Sequence, residues 1–374
     1  MNQRIRVFLL TAGVLFLICE PVAADIPKPP FVSSERRLMT APELLEAPDE
    51  WVDRSFQWVN YILQNHLPAL TEHPARRAAL IRMDDVLHIE SAPRTPLVQK
   101  FYRDRLEAAI RDIEQTKVAE GMRIWKLYNH GFLVRTPSVS FTFDIVPGTR
   151  TPGFTISSDL LERLVAQSDA TFISHLHSDH ANQQVAGMFL AHNKPVIAPE
   201  GVWTDIADLS SRLTYPKRAT DHVHSIPVRD NTRVLRVVAY PGHQSKAPLV
   251  NVHLVTTPEN FTVIHTGDQF GFEGPGGDFD WIAQIGRDHQ VDLLMPNCWG
   301  NSLGRTIRGV NPALVITGHE NEMAHTVDHR EDYTQTYNHL FEARYPAIVM
   351  TWGESYHYRK VPVRTEALTG VVHN

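Results

Sequence analysis

Ten consecutive residues, Thr171-Phe-Ile-Ser-His-Leu-His-Ser-Asp-His180, restrict this chain more than any other stretch. Ala170 to Ser174 is apolar and carries Thr, Phe and Ile, the composition of a strand. His175, His177, Asp179 and His180 follow at once, four potential metal ligands in six residues. Alternate side chains of an extended backbone leave on the same side, so His175 and His177 can grip one ion. Asp179 and His180 fall where the chain turns and can face a second ion beside the first. A single histidine is ordinarily a surface residue or a hydrogen-bonded core residue. Several imidazoles and a carboxylate buried together without a cation would leave donors and acceptors unpaired, at about 1–3 kcal/mol each. The cluster therefore reads as a metal site. Imidazole with carboxylate suits zinc, iron or manganese.

The segment resembles the His-x-His-x-Asp-His signature of the metallo-β-lactamase-fold hydrolases. The resemblance continues in order downstream, through Tyr240-Pro-Gly-His243, His265-Thr-Gly-Asp268 and Ile316-Thr-Gly-His319. Upstream, Phe141-Thr-Phe-Asp144 matches the strand-end Asp that buttresses the family's site. The matched span runs from about Met122 to Trp352. It implies an α/β chain (α+β in the looser sense), an αβ/βα four-layer metallo-β-lactamase sandwich, here with an N-terminal helical extension. It also implies that one ion takes His175, His177 and His243 and the other Asp179, His180 and His319. Asp268 bridges them together with a water. The expected cofactors are two Zn2+ ions, with iron or manganese pairs chemically possible.

Such a pair, roughly 3.5–4 Å apart, holds a hydroxide and polarises the oxygen under attack. Zinc lowers the pKa of bound water to near 7, so no serine or cysteine nucleophile is needed. Asp179 can orient that hydroxide or shuttle its proton. Asp144 is expected behind the ligands, fixing a histidine tautomer. The true β-lactamases of the fold usually place Cys or Ser where this chain has Asp268. The expected substrate is therefore an ester, lactone or phosphodiester. A β-lactamase and a non-catalytic, metal-stabilised binding module are the alternatives.

Other residues are candidates for the surroundings. Glu322 and His325 can pass a proton near the leaving group, or brace the following helix. Asn297, Trp299 and Asn301 end the next strand, and Arg305 and Arg308 can meet an anion. The loop Phe270 to Gly277 is Gly-rich, and Phe270 and Phe272 hint at a lipid or other apolar ester. Tyr356-His357-Tyr358 forms a packed aromatic cluster or returns to the pocket rim. His222, His224, His253, His289 and His339 are read as non-ligands.

Residues 1–24 read as a secretory signal: Arg4 and Arg6, a short apolar run from Val7 to Ile18, then Val22-Ala23-Ala24 before a cut. The run is shorter than the roughly 20 residues of a membrane span. A periplasmic or secreted protein follows, touching a membrane only if the signal stays uncleaved. Removing the signal removes Cys19 and leaves only Cys298, so no internal disulfide can form. The net charge of -6 argues against a nucleic-acid partner. The expected partner is a small-molecule or lipid-like substrate. Residues 25–120 read as a linker (Ile26 to Phe31) and the helical extension, and 121–374 as the catalytic domain. Helices are predicted over Asp49 to Leu67, from Pro74, from Pro96 until Gly121, and over Asp328 to Arg344. The extension is expected to buttress the catalytic domain or to form a lid.

Overall fold

The computed structural model describes residues 49–244, 248–274, 277–300 and 302–360. The expected signal segment, the linker at Ile26 to Phe31 and Asn301 lie outside them. Three helices come first: α1 (Asp49–Asn65), α2 (Pro74–Leu87) and α3 (Pro96–Gln115). Pro74 and Pro96 sit in the first turn, where a missing N–H breaks no helical bond. The third helix stops well before Gly121, because Thr116 turns extended, with ψ 123°.

Two six-stranded sheets follow. In the first, β1 (Met122–Lys126), β2 (Phe132–Arg135) and β3 (Ser140–Phe143) form an antiparallel meander. Parallel strands β4 (Ala170–Phe172) and β5 (Val196–Ile197) extend it. In the second, β6 (His224–Val228), β7 (Arg233–His243), β8 (Leu249–Thr256) and β9 (Thr262–His265) form the meander. Parallel β10 (Leu293–Met295) and β11 (Leu314–Val315) extend that one. The last strand, β12 (Ser355–Tyr358), closes the free edge beside β1. Tyr356, His357 and Tyr358 are therefore strand residues, and the tyrosines pack against the core between the sheets.

Alternation along each strand divides the core. Ile124, Phe132, Val134, Phe141 and Phe143 meet Val237, Val255, Val263 and Leu293 between the sheets. Trp125 and Leu133 point the other way, into an outer core shared with Leu80, Met83, Tyr102 and Ile110 of the N-terminal helices. That outer core also takes in α4 (Ser158–Ala166), α5 (Gln183–Ala191), α7 (Asp278–Asp288), α8 (Leu303–Val310) and α9 (Tyr333–Ala343). The short α6 (Ala207–Ser210) lies between β5 and β6 in sequence.

The helix predicted from Asp328 begins only at Tyr333. A 3-10 turn occupies Val327–His329, Asp332 caps the helix, and Asp84 of α2 accepts from Tyr333 N (3.0 Å) and Thr334 N (3.1 Å). The helical layer is joined to the sandwich again by Arg76, whose guanidinium meets both oxygens of Glu354 at 2.6 Å in a buried pair. Among the described residues, no helix is long and apolar enough to cross a membrane.

Candidate metal centre

The chemistry-bearing residues gather just past the carboxyl ends of the parallel strands, where open α/β sheets leave a crevice. Asp144 ends β3, His175 to His180 follow β4, Asp268 follows β9 and His319 follows β11. Asp179, His180, Asp268 and His319 place one ligand atom each within 4.8 Å of one another, and so do His175, His177 and Asp268. Asp268 belongs to both groups. Its Oδ1 lies 3.2 Å from His180 Nε2 and 3.4 Å from His319 Nε2, and its Oδ2 lies 3.6 Å from His175 Nε2. One carboxylate thus faces two ligand sets with separate oxygens.

The donor set fits cations. His175 Nε2, His180 Nε2, His319 Nε2 and Asp268 Oδ1 are buried without a hydrogen-bond partner. Leaving so many polar atoms unsatisfied in one place is costly unless something else occupies them. The backs of the rings are held. Asp144 accepts from Ser174 N (2.7 Å) and Ser174 Oγ (2.6 Å), and lies 2.8 Å from His180 Nδ1. His175 Nδ1 is 2.9 Å from Ser174 Oγ. A proton on each Nδ1 completes both contacts and leaves each Nε2 lone pair aimed inward.

The charges reinforce one another. Burial alone would raise the Asp268 carboxyl, but His180 and His319 beside it hold it well below the usual range. Burial would likewise raise Asp144, which His265 and His180 hold low. Burial takes His175 down to about 3, with His180 adding to the effect, so it stays neutral and able to ligate.

Six of the seven expected ligands come together in this way. His243, at the end of β7, belongs to neither group among the described residues. Its side chain is 44 % exposed, its Nδ1 lies 2.8 Å from Asp278 Oδ1, and its ring packs edge-on to Phe272. Gln244 beside it donates to Asp268 Oδ2 at 2.9 Å.

The outer candidates divide. Glu322 is buried; its Oε1 accepts from Ala324 N, and its Oε2 has no partner. Burial, then Asp179, pushes its carboxyl up to about 7. Glu322 and Asp179 line one cleft of about 900 Å³. His325 Nδ1 meets His329 O at 3.1 Å, and its ring centre lies 5.7 Å from that of His319. Trp299 stands 5.9 Å from the His319 ring, at the head of a groove of about 630 Å³ shared with Phe270 and Arg308. Asn297 is buried, and its amide nitrogen donates to Gly267 O (3.0 Å) and Gln269 O (2.9 Å), bracing the loop after Asp268. Arg305 lines the same groove as Trp299, pairs with Glu273 and lies 4.1 Å above the Phe279 ring.

Sequence reasoning passed over His130 and Asp278. The His130 ring is fully buried, 4.1 Å from the His265 ring, and neither of its nitrogens has a hydrogen-bond partner. One nitrogen falls with Asp144 and His180 in a third potential ligand group. A Cβ on Gly318 would come within 2.2 Å of His130 Cδ2, so glycine next to His319 lets the two layers meet. No periodicity marks either residue; each is placed by tertiary packing.

No family model and no curated protein matches the chain. Solved structures are similar to it. Igni18, a novel metallo hydrolase from the archaeon Ignicoccus hospitalis, is 15% identical over 64% of this chain and 99% of its own, with a TM-score of 0.49. A possible metal-dependent hydrolase from Veillonella parvula is 13% identical over 64% and 100%, with a TM-score of 0.48. The metallo-β-lactamase fold protein YhfI from Bacillus subtilis is 14% identical over 64% and 100%, with a TM-score of 0.42. Two six-stranded sheets packed face to face, with a His/Asp set at their strand ends, are the arrangement expected from the His-x-His-x-Asp-His resemblance.

Proposed function

We propose that this chain is an exported, dinuclear, zinc-dependent hydrolase of an ester, lactone or phosphodiester bond. One observation carries the reading: buried imidazole and carboxylate atoms without partners converge on two adjoining points that share Asp268. When bound, the ion pair supplies Lewis acidity and a nucleophile derived from water.

The chain's own residues do the rest. Asp144 and Ser174 orient His180 and His175. The Glu322 carboxyl, pushed up to about 7 by burial and Asp179, shares the cleft with Asp179, which suits it to protonate the leaving group. His325 donates through Nδ1 and keeps Nε2 free to accept a proton. Leu176, Phe270 and Phe272 are exposed apolar side chains around the ligands, which favours a small-molecule or lipid-like substrate with an apolar part. Export rests on the composition of residues 1–24.

Metal analysis of the purified protein, run beside a panel of lactone, carboxylic ester, phosphodiester and β-lactam substrates, tests the reading. Two equivalents of zinc and chelator-sensitive cleavage of one of the first three are expected. Active protein free of transition metal would overturn it.

A further inference from the structure

The cleft beside Asp179 has a wall that the metal chemistry does not use. It is the loop from Pro147 to Phe154, between β3 and α4. Helix α3 holds it through three side chains on one face, at positions 99, 102 and 103. Tyr102 Oη donates to Pro147 O, Gln99 Nε2 to Pro152 O and Arg103 Nη1 to Gly153 O, each at 2.8 Å. Within the loop, Thr149 N donates to Phe154 O at 2.9 Å and Phe154 N to Thr151 O at 3.0 Å. Gly153 takes a positive φ of 85°, and a Cβ there would lie 2.3 Å from Gln99 Oε1, so loop and helix are in direct contact.

Arg150 lies on this loop just before its Thr151–Phe154 turn. It is exposed and lines the same cleft as Asp179 and Glu322. Among the described residues its guanidinium has neither an ion pair nor a hydrogen bond. Asp205 lines the cleft too, without pairing with it. A cation on a loose loop is ordinary; a cation without a partner on a loop fastened by another layer of the fold is a prepared contact. The main chain around it offers no further free donors at Thr149 and Thr151. Thr149 N is spent on Phe154, and Thr151 N donates to Thr149 Oγ1 at 3.0 Å. A planar guanidinium fork pairs side by side with the two oxygens of a carboxylate.

We propose that the Thr149–Thr151 loop is a subsite for a carboxylate carried by the substrate away from the bond that is cut, with Arg150 as its counter-ion. The proposal rests on the hydrolase reading for the ligand's being a substrate, and the two can fail separately.

The test uses the metal-loaded full chain. Linear α,ω-dicarboxylates from malonate to adipate and the monocarboxylates of equal length are titrated calorimetrically against the wild type, Arg150→Ala and Arg150→Lys. Melting temperature and metal content check that each variant is folded and loaded. At one chain length the wild type should prefer the diacid about tenfold or more, the scale of one charge-assisted contact. Arg150→Ala should lose that preference and Arg150→Lys keep part of it. Equal binding of mono- and diacids by the wild type, or a preference that survives Arg150→Ala, overturns the subsite. An Arg150-dependent preference in a protein that cleaves nothing in the substrate panel leaves the subsite standing and removes the hydrolase reading.

Discussion

The imidazole of His243 and the carboxylate of Asp278 meet at 2.8 Å, Nδ1 to Oδ1. The same buried carboxylate accepts from Gln269 Nε2 (2.8 Å), Phe272 N (3.0 Å) and Trp281 Nε1 (3.1 Å). So many donors lock its orientation, and it in turn selects the His243 tautomer with Nε2 free. Asp278→Ala should weaken binding of the ion assigned to His175, His177 and His243 by about 10–100-fold, the usual cost of losing such a support. Competition against a fluorescent zinc chelator measures this. An unchanged affinity in folded protein would take His243 out of the ligand set.

His177 and Asp268 distinguish the two ligand groups. Asp268 touches both ligand groups, whereas His177 belongs to one. His177→Ala should leave one equivalent of metal and Asp268→Ala fewer than one, each with hydrolysis lowered at least about 100-fold. Elemental analysis and turnover on the same preparations provide the check. Full activity in both variants would refute the assignment.

Arg76 and Glu354 form a buried pair whose remaining valences are also met, by Val349 O (2.7 Å) and Thr351 N (2.8 Å). Glu354→Ala strands a buried guanidinium and should cost about 3–5 kcal/mol in urea unfolding. The double variant Arg76→Met with Glu354→Leu should recover most of that loss, because apolar replacements of a buried pair are commonly neutral.

Asp84 makes stability depend on pH. Burial pushes its carboxyl from 3.8 up to about 7, against the pull of hydrogen bonds from Tyr333 N and Asn321. The folded chain therefore holds this proton where the unfolded chain has released it. The contribution is complete below about pH 4 and fades as pH rises toward about 7, by at most about 1.4 kcal/mol per unit. Chemical denaturation across that window should show a falling component in the wild type that Asp84→Asn lacks. Parallel curves for the two proteins would contradict it.

What could be read from the residues was whatever local pattern controls. His175 to His180 announce themselves because ligand spacing on an extended chain is a local property. Helix α1 shows in the near-helical spacing of its apolar residues, and Pro74 and Pro96 mark helix starts. Asp278 and His130 are silent in sequence, since an Asp in a first helical turn and a His in a tight hairpin have many ordinary causes. The partners of Asn297 and Arg305 are equally silent, because the carbonyls of Gly267 and Gln269 and the carboxylate of Glu273 are brought to them only by tertiary packing. The start of α9 was missed because one of its caps, Asp84, comes from a helix far away in the chain.

The attachments of α2 and α3 bear on how the molecule can be cut. A fragment beginning at Arg123 would keep all seven sequence-matched ligands and look like a minimal enzyme. It would also carry Glu354 without Arg76, a helix behind His319 capped by Asp332 but without Asp84, and a Pro147–Phe154 hairpin stripped of its three fasteners. Shortened expression clones of that kind should come out insoluble or without bound metal, and residues 49–115 belong in any version taken forward for crystallisation or screening.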